Sequence, residues 1–226
     1  PGSFAYSGTA VSGAGVFNPV TAGVGTYPIK YVYTSSVIGC KDSATQNITV
    51  WPSPTAKWGA GLPSCEKNNL VFTDSSVANY SKIVSWAWDF GDATTSIKTS
   101  GAVFNKIFDT SKTYTASLKV TTDSGCVSVL NTQLVKVNPL PKPAFSLPSI
   151  CLPDGNGTFT NSSSIVDGSE ASFKYAWNFG NPNNSAGSTS KDPTHKYSAV
   201  GPVNVKLIVT TNNNCIDSLT QVLNTI

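Results

Sequence analysis

The chain has 226 residues, no arginine, no methionine, one histidine and a formal charge of +3. Its 15 lysines are scattered, which excludes the dense basic face that holds a nucleic acid. Charged residues make up 12% of the chain, against about 25% in an average soluble domain, and no apolar run approaches the roughly 18 residues of a membrane helix.

Taken in order, the chain reads as short runs of alternating polarity between Gly, Pro, Asn, Asp and Ser, the pattern of an all-β protein. A proline pair, Pro52-Ser53-Pro54, precedes a strand at Trp58 and another in the region 69–76. Trp86-Ala87-Trp88-Asp89-Phe90-Gly91-Asp92 follows, then Ile107-Phe108, Leu118-Lys119-Val120 and Leu134-Val135-Lys136-Val137. A second proline pair, Pro139-Leu140-Pro141, leads to Phe145, the region 157–163, Tyr175-Ala176-Trp177-Asn178-Phe179-Gly180-Asn181 and Pro193-Thr194-His195-Lys196-Tyr197. Trp88 with Phe90, and Trp177 with Phe179, stand two apart and share one face of a strand. An aromatic pair on one face needs a second layer over it. Two packed antiparallel sheets of about seven short strands satisfy that need.

The chain is self-similar. At an offset of 89, Trp88, Phe90, Gly91, Phe108, Leu118, Val120 and Cys126 meet Trp177, Phe179, Gly180, Tyr197, Leu207, Val209 and Cys215. At an offset of 87, Val16-Phe17-Asn18 meets Val103-Phe104-Asn105, and Thr26-Tyr27 meets Thr113-Tyr114. Cys40 meets Cys126 after one residue is lost in a turn. The expected units are 1–51, truncated at its start, 52–138 and 139–226. In this register Pro1 falls near Trp88, so a longer parent polypeptide is expected. The proline pairs stiffen the passages between units, and units strung end to end into an extended rod are expected.

The Trp-x-Trp-Asp-Phe-Gly-Asp element and the strands after it resemble the polycystic-kidney-disease (PKD) repeat, an immunoglobulin-like β-sandwich, over the second and third units. Gly23-Val24-Gly25-Thr26-Tyr27 of the first unit is similar to immunoglobulin-like repeats of very large surface proteins of gliding bacteria. That resemblance implies a non-catalytic stalk module of an exported cell-surface adhesin, of the kind carried by type 9 secretion. Its partners would be neighbouring repeats, and surface polysaccharide or other surface proteins. The alternative it implies is an accessory, substrate-contacting domain of a secreted multidomain hydrolase. Asp42-Ser43-Ala44 and Asp217-Ser218-Leu219 resemble the short Asp-Ser/Thr-apolar site at which such bacteria O-glycosylate exported proteins, which makes Ser43 and Ser218 candidate acceptors.

Catalytic arrangements find little support. His195 matches Lys106 of the second unit, so the repeat does not require an imidazole there. The two glutamates, Glu66 and Glu170, fall in different units. Asp89 and Asp92 share a turn and could touch a cation, yet Asn178 and Asn181 replace them in the third unit. Neither a cofactor nor a resident metal is implied. The five cysteines sort by register: Cys65 and Cys151 come early in their units, Cys126 and Cys215 late. Bridges Cys65–Cys126 and Cys151–Cys215 within units are therefore expected, with Cys40 unpaired, in an oxidising, extracytoplasmic setting.

Overall fold

A computed structural model describes residues 2–62, 64–180 and 187–226. The fold is all-β. Beyond strands it holds a helical turn at Pro19–Ala22 and one at Glu170–Ser172. The first unit is one sheet of β1 (Ser3–Ser7), β2 (Gly25–Thr34) and β3 (Lys41–Val50), in that order. The second has β4 (Trp58–Ala60), β5 (Asn69–Asp74), β6 (Ile83–Asp89), β7 (Thr95–Lys98), β8 (Phe104–Ile107), β9 (Thr113–Thr122) and β10 (Asn131–Lys136). They form two antiparallel sheets, β10-β9-β6-β7 and β4-β5-β8. The third unit has β11 (Phe145–Ser146), β12 (Asn156–Thr158), β13 (Thr160–Asn161), β14 (Lys174–Asn178), β15 (Thr194–Lys196), β16 (Gly201–Thr210) and β17 (Ile216–Thr225). Its larger sheet is β14-β16-β17, faced by the pairs β11-β13 and β12-β15.

Alternation puts the aromatics between the layers. Trp88 and Trp177 are each 3% exposed. Trp88 meets Trp58, Phe72 and Phe104 edge-on at ring separations of 5.4, 5.6 and 5.3 Å, while Phe90 lies nearly parallel to it. Trp177 meets Phe145 and Phe159 at 5.0 and 5.8 Å, with Phe179 again nearly parallel. The aromatic strand then turns at Gly91 and Gly180, with φ of +72° and +70°. A methyl group at either would stand 2.4 Å from a backbone carbonyl oxygen, of Thr115 or Asn204, so only glycine fits.

The first unit is one layer. Among residues 2–50 none is fully buried. Strand pairing also moves its register. Tyr6 pairs with Tyr31 as Trp88 pairs with Leu118, so β1 is the counterpart of β6, and Phe4 and Tyr6 replace Trp86 and Trp88. Ser3 therefore takes the place of Ser85, about five residues earlier in the repeat than the register that puts Pro1 near Trp88, because the stretch between Tyr6 and Tyr31 is shorter than its counterpart; Pro1 itself lies outside the described residues. The sequence holds no counterparts of β4 and β5 for this sheet, which leaves Tyr6, Phe17, Ile29, Tyr31 and Ile48 lining an open groove. One local device persists. Tyr27 donates its hydroxyl hydrogen to the Ala22 carbonyl, as Tyr114 does to the Thr110 carbonyl at 2.7 Å, the tyrosine corner of immunoglobulin-like folds.

Candidate functional site at the junction between units

The distinctive chemistry of the chain lies where the second unit meets the third. Beyond β10 the antiparallel pairing with β9 ends at Val137, whose amide donates to the Lys112 carbonyl at 2.9 Å. Instead Asn138 pairs in parallel with Cys65: the Asn138 amide donates to the Ser64 carbonyl at 2.7 Å and the Glu66 amide to the Asn138 carbonyl at 3.0 Å. The Glu66 carboxylate holds both sides of the exit. Oε2 accepts from the Ser111 amide at 2.8 Å, and Oε1 from the Leu140 amide, inside the linker, at 3.1 Å. Pro139 and Pro141 are buried, so the linker is packed as well as stiff. It enters the third unit through paired hydrogen bonds between Lys142 and Ser164.

A disulfide closes this junction. Cys65 is bonded to Cys215, 150 residues on, with Cα atoms 5.7 Å apart. Both cysteines are buried. The expected pairs Cys65–Cys126 and Cys151–Cys215 are thus not formed, and Cys126, Cys151 and Cys40 are free thiols. The reason is the length of the strands. Cys65 sits beside Asn138, at the end of the sandwich where β9 begins, since Val137 donates to the Lys112 carbonyl. Cys126 sits in the turn after β9, where Thr122 donates to the Cys126 carbonyl. Ten residues of β9, about 30 Å at ~3.3 Å per residue, separate them. β16 separates Cys151 from Cys215 in the same way. Early and late cysteines lie at opposite ends of one sandwich, and only neighbouring sandwiches bring them together. The bond therefore sets the two units end to end.

The remaining candidates do not converge. Asp89 accepts from the Gly91 amide at 2.9 Å, and Asp92 from the Thr94 amide at 3.0 Å, while Lys106 pairs with Asp92 at 2.6 Å. Burial raises the Asp92 carboxyl, but the hydrogen bonds from Lys106 and Thr94 outweigh it and hold its pKa below the ordinary value. These carboxylates stabilise turns. Ser43 and Ser218 are exposed on β3 and β17, opposite Val32 and Ile208, with the preceding Asp accepting from the serine amide in both. Trp51 is 38% exposed and stacks on Tyr80 at 4.1 Å between ring centres.

Residues 51–137 and 141–226 each match the family model of the PKD domain. The chain belongs to the PKD domain family. Similar solved structures include the PKD1 domain of Vibrio anguillarum Epp, at 24% identity and a TM-score of 0.33, covering 38% of this chain and 94% of that one. The PKD1 domain of the Vibrio cholerae metalloprotease PrtV is similar at 24% identity and a TM-score of 0.33, covering 38% and 98%. Fibronectin(III)-like modules of Clostridium thermocellum CbhA are similar at 14% identity and a TM-score of 0.38, covering 75% and 95%.

The two PKD domains handle one position differently. In the first, Lys106 lies over the rings of Phe90 and Phe108 at 5.3 and 5.2 Å. In the second, His195 takes that place, stacked on Phe179 at 4.3 Å and edge-on to Tyr197 at 4.6 Å. Its Nε2 is buried without a hydrogen-bond partner, and burial lowers its pKa below the ordinary 6.5. The unfolded chain therefore takes a proton near pH 6.5 while the folded domain still resists it. Stability of the second PKD domain is expected to fall as pH drops below about 6.5, and to level off once the folded imidazole is also protonated. Thermal unfolding compared at pH 7.5 and 5.5 checks this. His195→Gln should flatten the dependence; an equal drop in the variant would assign it to other groups.

Proposed function

We propose that the chain is a non-catalytic spacer: consecutive immunoglobulin-like domains, 1–51, 52–138 and 139–226, from the stalk of a large exported adhesin at the cell surface. The single observation that carries this reading is the Cys65–Cys215 bridge across the junction. Short packed linkers already limit bending. A covalent bond between the exit of one domain and the facing hairpin of the next holds direction as well as distance, which is what a stalk needs. A disulfide of this kind also fits an oxidising, extracytoplasmic setting. Ser43 and Ser218, exposed and equivalent in the repeat, would carry O-linked glycans on the flanks of the rod.

Two measurements test the reading. The oxidised chain, mixed with insoluble polysaccharides and sedimented, should stay in the supernatant. Retention that Trp51→Ala abolishes would favour accessory domains of a secreted hydrolase, with Trp51 and Tyr80 as the sugar platform. His195→Ala in the parent protein should leave adhesion unchanged, and loss of a defined enzymatic activity in that variant would overturn the reading.

A further inference from the structure

The bridge leaves two thiols in places that are, bond for bond, the places of the bridged pair. Around Cys65 the Asn138 amide donates to the Ser64 carbonyl and the Glu66 amide to the Asn138 carbonyl. Around Cys151 the Ile226 amide donates to the Ile150 carbonyl, at 3.2 Å, and the Leu152 amide to the Ile226 carbonyl, at 2.8 Å. The other pair matches as closely. The Cys215 amide donates to Thr211 Oγ1 at 3.1 Å and its carbonyl accepts from the Thr211 amide at 2.9 Å. The Cys126 amide donates to Thr122 Oγ1 at 3.1 Å and its carbonyl accepts from the Thr122 amide at 2.9 Å. Burial differs in the way a missing neighbour dictates: the bridged cysteines are buried, Cys126 is half-buried and Cys151 is exposed. Cys151 stands at the end of the third unit where the backbone leaves it. Cys126 stands at the end of the second unit that faces the first.

We infer that every junction of this repeat is stapled by the same bond, from the early cysteine of one unit to the late cysteine of the next. Cys151 then pairs with the late cysteine of a unit following Ile226, and Cys126 with the early cysteine of the unit whose last strands are β1–β3. In each bond two thiols lose two protons and two electrons to a disulfide oxidant such as oxidised glutathione, which leaves as two thiols. The bridges overlap along the sequence. A tensile load entering a stapled array crosses from an early cysteine to a late one, runs 25 residues of backbone (Cys126 to Cys151), and crosses again. Most strands of each sandwich are thereby kept out of the load path.

This inference rests on the reading of the chain as consecutive units of a longer polypeptide, but its test does not depend on what that polypeptide binds. Cleavage at lysine puts each of the five cysteines on its own peptide. The full chain, extended after Ile226 by one further copy of residues 139–226 that carries Cys151→Ser in the copy alone, and oxidised with glutathione, is digested without reduction. The Cys151 peptide is expected joined to the Cys215 peptide of the added copy, and Cys151 should become at least tenfold less reactive to a maleimide than in the unextended chain. Undiminished reactivity would overturn the inference. Should the added copy fail to fold, the same digest of the native polypeptide decides. Cys126 joined to a cysteine upstream of residue 1 supports the staple. Cys126 and Cys151 found as free thiols, or joined to each other, contradict it.

Discussion

Cys215→Ser should lower the stability of both PKD domains, although Cys215 lies in only one of them. The bond closes a loop of 150 residues. In the chain-entropy treatment, closure of that length restricts the unfolded state by about 5 kcal/mol. Because the loop contains most of both domains, the loss is shared between them, and the transitions should separate once the bond is gone. Calorimetry of the oxidised wild type should give one merged or closely spaced transition, and the serine variant two at lower temperatures. A variant in which only the third unit melts earlier would mean that the bond does not couple the domains. Cys65→Ser should match Cys215→Ser, while Cys126→Ser and Cys151→Ser in the same 226-residue chain should leave both transitions within about 0.5 kcal/mol of wild type, as expected of thiols without a partner here.

Trp177→Ala should cost the third unit about 3–5 kcal/mol. Its ring fills the space between the sheets against Phe145, Phe159 and Phe179, and its indole nitrogen donates to the Ser190 carbonyl at 3.0 Å. Trp177 sits within the five-residue pairing of β14 with β16, which holds its backbone in place around the void. Trp88→Ala should cost the second unit a similar amount, for the same geometry. Denaturant unfolding followed by tryptophan fluorescence measures both. A loss below about 1 kcal/mol at either site would mean that the aromatic pair is peripheral to its core.

The sandwich fold was legible because two aromatics spaced by two, Trp88 with Phe90 and Trp177 with Phe179, can only be buried between two sheets, and because the repeat states the pattern twice. The glycines closing that strand were legible for the same reason. Equivalence of the cysteines was legible too, and the structure keeps it: Cys65 matches Cys151, and Cys126 matches Cys215. Their partners were not. Register says which positions correspond, but says nothing of which end of a sandwich each occupies. The distance between ends is set by β9 and β16, ten residues each, and a disulfide cannot span it. A signal was present. Cys215 directly precedes the last strand of its unit and Cys126 lies five residues before the start of its own, while each early cysteine lies beside that strand's far end, so the whole strand lies between them. The first unit misled differently. Phe4 and Tyr6 stand at the places of Trp86 and Trp88, Gly8 stands at the place of Phe90, and the shorter connection to β2 hid the match.

Pulling single molecules by their two ends tests most directly that the junction is a covalent staple between domains. With Cys65 and Cys215 joined, the backbone between them is shielded from force. At roughly 3.3–3.6 Å per extended residue, those 150 residues amount to about 500 Å of chain. The oxidised molecule should therefore reach a contour length about 500 Å shorter than the reduced one, and reduction under load should release that length in one step. Equal contour lengths before and after reduction, or release in two steps of roughly 200 Å each as bridges within the units would give, would contradict the staple.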